Sequence, residues 1–112
     1  MADTFKNAKA ALVTGGGTVY TCPAATTAVV IGCIVANIDG TNAASVSISW
    51  TDDSDSDTST NIVKLVSVPP NASLAVIGGA NGKLVLEAGD TLTGIASADS
   101  DLVVSVSVLE IS

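Results

Sequence analysis

The sequence predicts an all-β fold: a single-domain β-sandwich or jelly roll of about eight short antiparallel strands. Three observations predict it. Apolar and polar residues alternate with a period of two through much of the chain. The apolar mass is Val, Ile, Leu and Ala interleaved with Ser and Thr, and β-branched residues of this kind fit a pleated, half-buried surface. Turn-forming clusters part the runs, and no amphipathic helical stretch of useful length separates them.

The elements follow in order. "TFKNAKAALV" fits a short helix, and equally a strand or an ordered arm before Gly15–Gly17. "GTVYTC" is a strand, expected to pair with "KAALV" across those glycines. "VVIGCIVAN" is apolar on both faces and reads as a central strand covered from both sides. "ASVSISW" alternates cleanly, with Val46, Ile48 and Trp50 on one face and Ser45, Ser47 and Ser49 on the other. "TNIVKLVSV", "SLAVIG", "KLVLE" and "TLTGIASA" supply further short strands. "DLVVSVSVLEIS" closes the set, with Leu102, Val104, Val106 and Val108 facing one way. Asp39-Gly40 marks a turn, and Pro69-Pro70 marks a break that no central strand tolerates.

A chain of 112 residues forms one domain, 1–112, with residues 1–8 as an N-terminal arm. The chain is 47% hydrophobic and 13% charged, with no His and no Arg. Its net charge of −7 argues against a nucleic-acid partner, which demands clustered Lys and Arg. The first residues lack a signal-peptide core. The longest apolar run, "AVVIGCIVA", is nine residues, short of the ~20 needed to span a bilayer. Synthesis in a host cytoplasm and no membrane partner are the expectations.

Cys22 and Cys33 flank "PAATTAVVIG". A tight turn at 23–26 would set Cys22 opposite Thr27, several residues from Cys33, too far for a disulfide. Both read as small buried hydrophobes.

"TDDSDSDTST" carries Asp52, Asp53, Asp55 and Asp57 between two strands. Counted as a calcium loop from Asp53, Asp55 and Asp57 fit. Position 6 is Thr58 where Gly belongs, and position 12 is Lys64 where Glu belongs. Asp53, Asp55 and Asp57 are therefore metal-ligand candidates without the full pattern. The simpler reading is a hydrated hairpin end whose charge blocks edge-to-edge pairing.

Catalytic signatures are missing. "GGANGK" has Ile77 where a phosphate-binding loop needs its first Gly, and Leu84 where it needs Ser or Thr. Ser and Thr are plentiful but lack a His base. Glu87 and Asp90 sit in "LEAGDTL", a strand–turn–strand rather than a carboxylate pair. No enzyme activity and no cofactor are expected.

What needs explaining is stickiness. A chain rich in Val and Ile strands and poor in charge exposes apolar faces and strand edges unless it assembles. A homo-oligomer or lattice component is expected, kept soluble beforehand by its negative charge.

The residues that carry a resemblance are Tyr20-Thr21-x-Pro23, the Asn37–Gly40 turn, Leu86-Glu87-x-Gly89-Asp90 and the Ser-Val-Leu-Glu-Ile ending. Through them nearly the whole chain resembles small virion structural proteins of tailed bacteriophages. That resemblance implies a β-sandwich subunit without enzymatic role, located in the virion. It transfers no site. The leading expectation is a capsid decoration or cement protein: a symmetric cluster, such as a trimer, that bridges the major capsid protein and stabilises the shell. "MADTFKNAK" is expected to make that contact through Phe5, Lys6 and Lys9, a basic end docking on an acidic shell. The alternatives are an adaptor at the neck, tail, baseplate or fibre, and a small carbohydrate-binding or adhesion module.

Overall fold

The computed structural model describes residues 3–56, 58–78 and 82–112. Nine strands form there: β1 (Asp3–Ala11), β2 (Gly17–Thr21), β3 (Thr27–Asn37), β4 (Ala44–Asp52), β5 (Thr58–Val68), β6 (Ser73–Ile77), β7 (Leu84–Leu86), β8 (Thr91–Ala96) and β9 (Leu102–Ile111). They build two antiparallel sheets. One runs β1-β9-β3-β6, with β7 also paired to β3; the other runs β2-β8-β4-β5. β6 and β7 share one edge of β3, β6 along Cys33–Ala36 and β7 along Ala28–Val30. The chain thus passes repeatedly between two facing sheets, the jelly-roll plan expected from the sequence.

Alternation builds the core between the sheets. On β9, Leu102, Val104, Val106 and Val108 are buried, while Ser105 and Ser107 face out. Val46 and Ile48 of β4 meet them from the other sheet, and Trp50 is half-buried at the end of the same face. Gly94 of β8 is needed there. A Cβ on it would lie 2.8 Å from Leu12 Cδ2 and 3.1 Å from Ile48 Cδ1.

Several local expectations give way to this topology. β1 does not pair with β2 across the glycines; it pairs with β9, and β2 pairs with β8. The 12–16 loop carries the chain from one sheet to the other, which puts Ala8 and Ala10 opposite the buried Val106 and Val104. β2 and β3 likewise lie in different sheets, so Cys22 does not face Thr27 in a hairpin. Both cysteines are buried and free. Residues 3–8, assigned above to an arm, are strand, ladder-paired to β9. "TFKNAKAALV" forms no helix. β3 is central, as expected, but a two-layer sandwich offers nothing to cover its outer face. Ile34 there is 48% exposed.

β4 and β5 are, among the described residues, the only consecutive strands that pair with each other. The acidic loop is therefore a hairpin end, as one of its two readings proposed. A bulge at Lys64–Leu65 interrupts this ladder opposite Ser47, with Leu65 in the left-handed region (φ 53°) and its N–H donating to Ser47 Oγ.

Candidate functional site

β1 forms an open edge of the five-stranded sheet. Its alternation sends Asp3, Phe5, Asn7 and Lys9 outward, in register with Ile111, Leu109, Ser107 and Ser105. Phe5 is 74% exposed. The ladders continue its position across the sheet: Phe5 opposes Leu109, Leu109 opposes Val29, and Val29 opposes Val85. One apolar row therefore crosses β1, β9, β3 and β7. Ile31, bulged out of β3 opposite Ser107, helps line a shallow depression beside Phe5. Two more depressions follow the β1–β9 seam past Lys9.

The other sheet has the opposite character outside. Ser45, Ser47, Ser49 and Thr51 of β4 face solvent beside Thr91 and Thr93 of β8. Ser49 and Thr93 hydroxyls lie 3.4 Å apart, and Thr51 and Ser59 hydroxyls 2.8 Å apart. Ile95 of β8 and Leu65 of β5, on either side of Ser47, are the exposed apolar exceptions.

Phe5, Lys6 and Lys9 share a strand but not a face. Lys6 turns to the inner side, where its Nζ lies 3.1 Å from Glu110 Oε1. The Tyr20 hydroxyl donates to Glu110 Oε2 at 2.6 Å. Tyr20 belongs to β2 and Glu110 to β9, so the triad ties both sheets and the edge strand together. The hydrogen bond from Tyr20, then Lys6, hold the Glu110 carboxyl below its usual range. Burial, then the Glu110 carboxylate, push the Tyr20 hydroxyl well above its ordinary value. Lys6 is thus a tether within the subunit. Lys9 and Phe5 remain turned to solvent.

The acidic residues cluster differently from the calcium-loop count. Asp57 and the side chain of Asp55 lie outside the described residues. Asp53–Asp55 form a single 3-10 turn, capped by Asp52, whose Oδ1 accepts from Ser54 N. Carboxylate oxygens of Asp52, Glu87 and Asp90 gather within 4.8 Å of one another. Asp53 lies over Gly89, where a Cβ would sit 2.6 Å from Asp53 Oδ2. Gly89 also adopts φ +87°, so both space and backbone call for glycine.

Asp90 is buried, and both its oxygens accept backbone N–H groups: Oδ1 from Asp53 and Oδ2 from Glu87, each at 2.9 Å. Its own backbone carbonyl accepts from Cys22 N. Asp90 thus clamps three loops at one end of the sandwich. Three carboxylates form a hard-oxygen set suited in kind to calcium. Asp90, however, is already engaged in the fold. Tyr20 and Glu110 stand in motifs that the sequence singles out, but nothing local signals their contact, since they are 90 positions apart. Val29, Val85 and Leu109 did signal, as apolar residues at outward positions of alternating strands.

No protein-family model matches the chain, and no curated protein matches it. Solved structures do match its fold. It superposes on a chain of Bacillus endospore appendages, described as a family of disulfide-linked pili, with a TM-score of 0.57 and 12% identity, covering 99% of this chain and 87% of that one. It superposes on a chain of the Helicobacter pylori bacteriophage KHP30 capsid with a TM-score of 0.56 and 11% identity, covering 100% and 94%. A chain of the T13 infectious bursal disease virus particle follows with a TM-score of 0.53 and 7% identity; this chain spans 30% of its length. What these chains have in common with this one is the architecture: two facing antiparallel sheets with interleaved strands.

Proposed function

We propose that the chain is a non-enzymatic structural subunit of a virion, made in the host cytoplasm and built into the particle by self-association. Within that reading, its place is the capsid shell, where it acts as a decoration or cement protein bridging copies of the major capsid protein. The supporting observation is the end-to-end correspondence with the phage KHP30 capsid chain, which leaves little of either chain unmatched. The outer surface agrees with such a role: Phe5, Ile34 and Val85 lie turned to solvent on one sheet and Leu65 and Ile95 on the other, where partners would cover them.

The mechanism is mechanical. A rigid sandwich buries apolar surface against its neighbours and resists their separation. Copy number per particle, by quantitative mass spectrometry of virions from the parent virus, tests the proposal. A copy number in fixed ratio to the major capsid protein supports a shell location. A few copies per particle would move the protein to the neck, tail, baseplate or fibre. Absence from particles would overturn the virion reading.

The likeness to the endospore appendage chain favours a second reading, a subunit of an extracellular filament. Recovery of the protein from sheared surface fibres rather than from particles would select it.

A further inference from the structure

We propose that the outer face of the five-stranded sheet is a contact surface for a second copy of this chain, packed face to face about a two-fold axis. The inference deepens the assembly reading above and rests on it for its biological setting. Its physical basis is independent.

The two outer faces of the molecule differ. One is mostly Ser and Thr, broken by Leu65 and Ile95 on either side of Ser47; the other carries the row Phe5–Leu109–Val29–Val85 across four strands, with Ile34 beside it. An antiparallel sheet that faces water on one side alternates apolar-in and polar-out. β4 obeys that rule and β3 breaks it.

Charge agrees. At −7, two copies repel one another, most strongly where their loop ends approach. The outer face of the five-stranded sheet is nearly free of this. Within its paired strands the charged side chains facing outward are Asp3 and Lys9, opposite in sign. Glu110 points inward, and the other acids lie at the two loop ends or outside the described residues. Like copies approach through this face at low electrostatic cost.

The face is also large enough. Four strand positions at about 4.8 Å spacing and nine residues at about 3.3 Å rise cover about 550 Å². Two copies would bury about 1,100 Å², above the roughly 1,000 Å² floor for a specific interface. A twisted sheet face also finds its best geometric match in another of the same twist, since sheets stack about 10 Å apart with strands nearly aligned.

Light scattering and sedimentation of the purified chain test this. The wild type should form a dimer of about 22 kDa, twice the 11.0 kDa chain. Phe5→Ser and Val85→Asp should each weaken it about 30-fold or more. Both sites are more than half exposed, so the fold should tolerate the changes, with circular dichroism as the check. Ile95→Asp, on the outer face of the other sheet, should leave the dimer intact. Raising salt from about 0.05 to about 0.5 M should tighten association, because it screens the net repulsion. A monomer at all concentrations would overturn the proposal. So would a dimer indifferent to Phe5→Ser and Val85→Asp, or one loosened by salt, which would indicate a Lys-to-carboxylate or edge-strand contact instead. Particle copy number decides the virion reading separately, so failure of the surface and failure of that reading are told apart.

Discussion

Tyr20, Glu110 and Lys6 connect two sheets and an edge strand through two contacts, so their behaviour with pH follows from their geometry. Glu110 is held below its usual range. Its contribution to stability is therefore present above the ordinary carboxylate value of about 4.3 and is lost as pH falls through its depressed value. Tyr20 is pushed up. Its contribution is full below about 10 and is lost as pH climbs further. Tyr20→Phe should lower the melting temperature at neutral pH and flatten both limbs of the stability–pH profile. Thermal melts across pH would check this; limbs as steep as wild type would show that other groups govern them. Asp90→Ala should cost about 1–3 kcal/mol, because it strips the acceptor from two backbone N–H groups at a packed corner. Urea unfolding measures it. None of these partnerships was legible in the sequence. The Asp90 side chain bonds residue 87 nearby but also residue 53, and Glu110 finds Tyr20 from the far end of the chain.

Strands, by contrast, were legible one at a time. Alternation in β4 and β9 identified the inward faces, and the turn clusters set the breaks. Pairing was not legible, because hydrogen-bond partners in a jelly roll are not sequence neighbours. The expected β1–β2 hairpin failed for this reason, while β4–β5 was read correctly as a hairpin. The inner side of β8 gives a sharp check on packing. Gly94→Ala drives a methyl into Leu12 and Ile48 and should cost about 1–3 kcal/mol, seen as a lower urea midpoint with unchanged slope. β1 gives another. As an arm, residues 1–8 would have been dispensable to the fold. With residues 3–8 in the edge strand, that removal takes most of β1 from β9, frees the Glu110 carboxylate from Lys6 and opens a fresh edge. The truncated protein should melt earlier and aggregate; a soluble variant with an unchanged melting curve would restore the arm.

The whole molecule is dominated by contacts distant in sequence. β9 sits between β1 and β3, joining residues near both ends of the chain. Such topologies fold slowly, in milliseconds to seconds, because loop closure precedes any reward from pairing. Stopped-flow refolding should therefore be slow, and microsecond folding would contradict the topology. The outer faces belong to this scale too. Period-two patterning revealed which residues point out but not that β3's outer face would lack a covering layer. That follows only once two sheets, and not three layers, are known.

The place of β9 has a consequence for synthesis. At about 5–20 residues per second, translation takes longer than the folding step itself. Yet the five-stranded sheet cannot close until β9 has left the ribosome, since among the described residues β1 has no other strand partner and β9 joins it to β3. Val29 and Val85 can meet earlier through β3 and β7, but Phe5 joins their row only then. Nascent chains that have not yet exposed β9 therefore cannot meet through the whole face.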